Sequence, residues 1–221
     1  MTPRLALFDL DDTLLHGDTD VLWCDFLVQR GVLDGAAFTQ RNEEMAARYR
    51  AGTASPLEFA EFYLGTLAGR SPAEWEPLRR EFLQERIVPR IARAAMALVG
   101  RHREAGDLVV LTTATNRFLT ELTAQHLGIE HVLATEPQLL GGLFSGRVAG
   151  TPNMREGKVT RLHAWLADRG ESLGRMHSTA YSDSINDLPL LEAVDVAVVV
   201  HPDTRLAEVA RERRWQVMEV R

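Results

Sequence analysis

Leu5-Ala6-Leu7-Phe8-Asp9-Leu10-Asp11-Asp12-Thr13 is a short apolar run that ends in a cluster of acids. A continuous apolar run without polar alternation reads as a strand covered on both faces, as in a parallel sheet. Similar runs recur at 108–112, 132–134, 179–182 and 196–200, and helical patterns at about 91–105, 117–127, 157–170, 186–193 and 203–213 separate most of them. Strand alternating with helix predicts an α/β fold, a doubly wound, Rossmann-like parallel sheet. A last short strand from Trp215 to Val220 is expected at an edge.

One interval breaks this rhythm. Nearly a hundred residues separate the first two strands, where a whole βαβ unit takes about thirty. Residues 17–90 carry apolar residues at helical spacing over 19–31, 36–51, 57–68 and 73–87, with breaks at Gly31, Gly52, Ser55-Pro56 and from Gly69 to Pro72. The expected organisation is a Rossmann-like core of residues 1–16 and 91–221 carrying an inserted helical cap domain, 17–90. A smaller excursion from Gln138 to Gly150 has Gly141-Gly142 between Leu139-Leu140 and Leu143-Phe144, the pattern of a small β-hairpin flap.

With 221 residues, 45% of them hydrophobic, the chain can bury a full core. No apolar run approaches the ~18 residues of a membrane helix. Asp9 cuts the first run before it could act as a signal peptide, so a cytoplasmic protein is expected. A net charge of −6, with no concentrated basic stripe, argues against nucleic acid as a partner. The single cysteine, Cys24, lies among apolar residues and excludes an intrachain disulfide framework; it reads as a buried bystander. The basic residues comprise 24 arginines and one lysine, Lys158. Keeping lysine once points to a position that needs a compact, strongly hydrated charge rather than a planar fork.

In an open α/β sheet, ligands bind beyond the carboxyl ends of the strands. There the chain places Asp9-Leu10-Asp11-Asp12-Thr13, then Thr112-Thr113-Ala114-Thr115-Asn116, then Asp183-Ser184-Ile185-Asn186-Asp187, with Lys158 opening the helix before the last of these. Acids and threonines after strands also cap helices and make turns, but so many carboxylates around one crevice repel unless a cation neutralises them. Oxygen ligands without a cysteine or histidine cluster fit a hard cation, Mg2+.

These motifs resemble those of the haloacid dehalogenase superfamily, in its phosphoserine-phosphatase-like branch with a helical cap, also similar to histidinol-phosphate phosphatases of that superfamily. Asp9-Leu10-Asp11-Asp12-Thr13 matches its Asp-x-Asp-x-Thr motif, Thr113 its second, Lys158 its third, and Asp183 to Asp187 its acidic fourth. The resemblance implies a phosphatase acting through an aspartyl-phosphate, with Asp9 as nucleophile and Asp11 as acid and base. Metal ligands would be the Asp9 and Asp183 carboxylates and the Asp11 carbonyl, with Asn186 and Asp187 behind them. Thr113, Ala114 and Lys158 would hold the phosphoryl group.

By the same resemblance, Asp18 stands near the place where phosphoserine phosphatases carry a glutamate for the substrate amine, and Arg48 is among the cap arginines available for a carboxylate. Asn116 is a further substrate-contact candidate or, equally, the cap of the next helix. Asp12 and Ser184 depart from the small residues common at their positions. The expected substrate is a small phosphorylated metabolite bearing an amine, such as phosphoserine or histidinol phosphate. The alternative is a phosphorylation-switch receiver or binding domain, whose fold also combines an acidic cluster, a threonine and a lysine. Against it stand the position of the acid on the first strand and the helical insertion.

Overall fold

A computed structural model describes residues 2–51 and 53–219. The first apolar run forms β1 (Arg4–Phe8) at the centre of a six-stranded sheet. Four helices follow: α1 (Thr19–Gln29), α2 (Gly35–Arg50), α3 (Pro56–Leu64) and α4 (Pro72–Phe82), the last running on into a π-helical turn, Leu83–Ile87. Ser55 and Ser71 open α3 and α4 with full capping boxes to Glu58 and Glu74, each followed by proline at the first helical position.

The chain then returns to the sheet through α5 (Arg93–Glu104), β2 (Leu108–Asn116), α6 (Arg117–Leu127) and β3 (His131–Thr135). A two-stranded antiparallel hairpin, β4 (Pro137–Leu140) and β5 (Leu143–Val148), follows. The second half comprises α7 (Glu156–Asp168), β6 (His177–Ser182), α8 (Leu188–Ala193), β7 (Val196–Val200), α9 (Thr204–Arg213) and β8 (Gln216–Met218). The sheet order is β3-β2-β1-β6-β7-β8, and every pairing is parallel. This is the expected doubly wound α/β fold with its hairpin. The edge strand is shorter than read from sequence, and Val220 lies outside the described residues.

The order reverses beside β1, so the carboxyl ends of β1, β2 and β6 face one crevice. Two hydrophobic clusters cover the sheet, one including Leu5, Leu7, Val110 and Ala180 and the other Ala6, Phe8, Val109 and Leu111. The second cluster reaches into the helical insertion, where Trp23 packs edge-on against Trp75 and Phe82. Trp23 and Phe26 are thus core, and Cys24 is buried beside them. The hairpin braces the insertion from the other side: Phe144 exchanges main-chain hydrogen bonds of 2.9 Å with Gly69 and Arg70.

Candidate active site

Asp9 follows β1 directly, and its main chain is fixed by donation from its N–H to the Tyr181 carbonyl at 3.0 Å. The residue is 7% exposed. Lys158, 1% exposed, lies between two carboxylates, with Nζ 2.7 Å from Asp9 Oδ1 and 2.6 Å from Asp187 Oδ2. Asp187 Oδ2 also accepts from the Ser182 hydroxyl at 2.7 Å. Lys158 reaches this point because α7 starts close beneath β2. A Cβ on Gly157 would collide with the Pro152 carbonyl oxygen, so the residue before Lys158 has room only for hydrogen.

The Thr13 hydroxyl sits between Asp9 Oδ2 (3.3 Å) and Asp183 Oδ1 (3.1 Å), and accepts from the Asp183 N–H at 3.1 Å. Capping of the turn after β6 falls to Ser184, whose hydroxyl accepts from Asn186 N–H, so Asp183 keeps its side chain for the crevice. Asp11 accepts from Thr19 N–H (2.8 Å) and the Thr19 hydroxyl through Oδ1, and from Thr115 Oγ1 (2.7 Å) through Oδ2. A cavity of about 200 Å³ is lined by all of Asp9, Asp11, Thr113, Ala114, Lys158, Asp183, Asn186 and Asp187, so the candidates from four separate segments converge as expected.

The electrostatics follow from crowding in a dry place. Burial pushes Asp9 up to about 6, with Lys158 opposing and Asp187 reinforcing the rise. Burial, then the charges of Asp18 and Asp9, raises Asp11 to about 8. Burial, Asp9 and Asp187 do the same for Asp183, also to about 8. Lys158 moves the other way: despite burial, Asp187 and Asp9 hold its ammonium above the ordinary lysine range.

The substrate-side candidates divide. Asp18 lines the cavity, but its Oδ1 also caps α1 by accepting from Val21 N–H at 3.0 Å. Asn116 takes the capping alternative, accepting from Leu119 N–H at 3.1 Å. Its amide also donates to Asp20 at 3.4 Å. Arg48 is not among the residues lining the cavity; it pairs with Glu58 at 2.8 Å on the exposed surface. Of the insertion's aromatic residues, Phe59 lines the cavity while Phe62 stacks on Phe38. Asp12, at φ +52°, closes the loop by accepting from Gly17 N–H.

Thr19, Thr115, Arg155 and Asn153 are among the residues of the site that were missed in the sequence. Thr19 and Thr115 hold Asp11; alternation along β2 puts Thr115 on the same face as Thr113, which was the available signal. Arg155, at φ +52°, donates to Asn186 Oδ1 (3.3 Å) and lies 5.0 Å over the Tyr49 ring. Asn153 is fully buried and shares its amide hydrogens among Thr112 Oγ1, Thr113 O and Leu133 O at 2.9–3.1 Å, tying β2 to β3 beneath Thr113. Asn153→Ala strands those acceptors, at about 1–3 kcal/mol for each one left unsatisfied. A thermal melt is expected to drop by several degrees, and an unchanged midpoint would contradict this bracing role.

A family model described as haloacid dehalogenase-like hydrolase matches residues 6–192. The chain is 39% identical over 217 residues to a histidinol-phosphatase of Neisseria meningitidis serogroup C, covering 97% of this chain and 98% of that one. It is 34% identical over 226 residues to phosphoserine phosphatase SerB1 of Mycobacterium tuberculosis, covering 98% of this chain and 70% of the relative. A crystal structure of a Bordetella pertussis Tohama I protein of unknown function superposes over 100% of both chains, with a TM-score of 0.96 and 44% identity. No described helix is long and apolar enough to cross a membrane. The chain belongs to the haloacid dehalogenase-like hydrolases, as a phosphatase of that family.

Proposed function

We propose that the protein is a Mg2+-dependent phosphatase that hydrolyses a small phosphate monoester through an aspartyl-phosphate on Asp9. An amine-bearing metabolite such as histidinol phosphate or phosphoserine is the substrate class, as the names of the relatives suggest. The observation that carries this reading is the Lys158 bridge between Asp9 Oδ1 and Asp187 Oδ2 at the cavity wall. It pins one oxygen of Asp9 and favours the ionised carboxylate, while Oδ2 has a long contact, 3.3 Å, to the Thr13 hydroxyl.

The chemistry then follows from the residues. Asp9 Oδ2 bonds to phosphorus as the ester P–O bond breaks, splitting one hard displacement into two. Asp11, raised to about 8, carries a proton at neutral pH and delivers it to the departing alkoxide. It then takes a proton from the water whose oxygen displaces Asp9. Thr113 Oγ1 accepts from Thr115 N–H at 3.2 Å, so its own hydrogen is available to a phosphoryl oxygen beside the Ala114 N–H. Residues 17–90 act as the cap over this cavity. The connections to it pair with each other, Leu15 against Ile91 and His16 N–H to the Arg90 carbonyl, which supports a core of 1–16 and 91–221.

The donor set fits a hard divalent cation. Asp9 and Asp183 are both pushed up by burial and by neighbouring carboxylates, a cost that a cation between them removes. The Asp9 and Asp183 carboxylates and the Asp11 carbonyl would supply hard oxygen ligands of the kind that such a cation takes, with water completing the set. Bound there, Mg2+ would neutralise charge on the phosphoryl oxygens. Asn186 and Asp187 stand behind that set.

The test is phosphate release from an aryl phosphate with Mg2+. Excess chelator is expected to abolish it and added Mg2+ to restore it; activity indifferent to chelator would remove the metal from the mechanism. Asp11→Asn is expected to slow alkyl phosphates by on the order of 10²- to 10³-fold and aryl phosphates much less, because phenoxides leave without a proton. Equal losses on both would count against the acid role.

A further inference from the structure

The helical insertion is not fastened evenly. α1 and α4 belong to a hydrophobic cluster of the sheet through Trp23, Trp75 and Phe82. Arg79 of α4 adds a tie to α6, lying 4.5 Å over the Phe118 ring and 3.4 Å from Glu121. α3 rests on the hairpin, where Glu61 accepts from Val148 N–H at 3.4 Å. The side chains of α2 turn to α3 instead: Phe38 stacks on Phe62, Asn42 accepts from the Tyr63 hydroxyl at 2.9 Å, and Arg48 pairs with Glu58. Among the described residues of α2, Tyr49 alone reaches the core by a hydrogen bond or ring contact.

That contact lands on a junction. Tyr49 donates its hydroxyl to Met154 Sδ at 3.2 Å, and the Arg155 guanidinium lies 5.0 Å over its ring, a cation–π arrangement. The same guanidinium donates through Nε to Asn186 Oδ1 at 3.3 Å. Asn186 lies in the turn that follows Asp183, and Tyr49, Asn186 and Asp183 all line the cavity. Arg155 is itself fixed, since its carbonyl accepts from Lys158 N–H at 3.1 Å. Its backbone is left-handed at φ +52°, a conformation that a non-glycine residue keeps only where its surroundings dictate it. One half-buried side chain, three positions before Lys158, thus touches the insertion and the acidic turn at once.

We propose that Arg155 is a positioning residue that couples closure of α2 over the cavity to the acidic turn 183–187, so that a closed α2 and a cation held by Asp183 favour each other. This rests on the Mg2+ reading above and goes beyond it. With the turn ordered, Asn186 holds Arg155 where Tyr49 docks; with Tyr49 docked, Arg155 in turn holds Asn186. Such coupling is reciprocal: the factor by which the cation steadies α2 equals the factor by which a docked Tyr49 strengthens its binding. One ring–cation contact and one hydrogen bond make that factor about 3- to 10-fold. The consequence for the reaction is order, because the cavity closes more firmly when the turn is loaded than when it is not.

The test uses the whole protein without substrate. Hydrogen exchange of α2 is followed with and without Mg2+, and Mg2+ affinity is measured by titration calorimetry. In the wild type, Mg2+ is expected to slow exchange in α2 by about 3- to 10-fold. Arg155→Met is expected to remove that difference. Tyr49→Leu changes no charge and none of the residues assigned to the metal, yet is expected to weaken Mg2+ binding about 3- to 10-fold, while Tyr49→Phe keeps the ring and most of the affinity. Arg155→Met is expected to weaken Mg2+ binding too, and the sign is diagnostic, because losing a positive charge beside a cation site would by itself tighten it. Exchange in α2 indifferent to Mg2+, tighter Mg2+ binding by Arg155→Met, or Mg2+ held as tightly by Tyr49→Leu as by the wild type overturns the proposal. If Arg155→Met does not fold, the wild-type exchange and the Tyr49→Leu titration decide without it. A wild type that binds no Mg2+ and hydrolyses an aryl phosphate in excess chelator removes the metal reading together with the coupling. Mg2+ binding that leaves α2 unchanged removes the coupling alone.

Discussion

Asp9→Asn is expected to lower kcat at least about 10³-fold while leaving the fold as stable as before or slightly more so. The loss follows from the nucleophile. An amide at position 9 keeps an oxygen for Lys158 Nζ, now at 2.7 Å from Oδ1, but brings no charge to phosphorus. The stability effect has the opposite sign. An acid raised in the fold from 3.8 to about 6 is protonated more readily folded than unfolded, so above that range its ionisation opposes folding. Removing the charge relieves repulsion from Asp187, and Lys158 retains its 2.6 Å partner there. Rate measurements and thermal melts on the same preparation test both halves. Activity near wild type would sink the nucleophile assignment. An inactive protein with a much lower melting temperature would mean that Asp9 is chiefly structural.

The division between what the sequence reveals and what it hides has physical causes. Runs such as Leu5 to Phe8 and Val196 to Val200 are legible because a strand covered on both faces must be apolar throughout, whatever surrounds it. Asp9, Asp11, Lys158 and Asp183 are legible because strand ends in a parallel sheet all open on the same crevice, so chain order alone brings them together. Arg48 was not, because Glu58, ten residues away on a different helix, decides its direction. The second strand reads as 108–112 and extends to Asn116 with a register shift after Thr113; no propensity scale anticipates that continuation into a threonine-rich loop. The π-turn after Phe82 is hidden because one extra residue in a turn leaves the apolar spacing nearly unchanged. Arg155 at φ +52° carries no glycine to announce a left-handed backbone. The double use of Asp18 is hidden for the same kind of reason: it opens α1 and lines the cavity, and only coordinates show that its Oδ1 caps the helix.

Lys158→Met is expected to abolish activity and also to destabilise the fold, a combination that separates it from Asp9→Asn. Nζ is the cation shared by two buried carboxylates, and methionine of similar length leaves Asp9 and Asp187 facing each other without it. Breaking a buried ion pair from one side typically costs about 3–5 kcal/mol, which for a chain of this size lowers the melting temperature by roughly 10 °C. Lys158→Arg keeps the charge but must fit a planar fork where the side chain is already 2% exposed, so activity should remain low even if part of the stability returns. The decisive comparison adds Asp187→Asn to Lys158→Met. If the destabilisation comes from stranded charge, neutralising Asp187 restores a measurable part of the melting temperature without restoring turnover, because Asp9 still lacks the ammonium that keeps it ionised beside a phosphate. Strict additivity of the two stability losses would mean that Lys158 supports the fold by packing rather than by charge, and the ion-pair account of the site would fall with it.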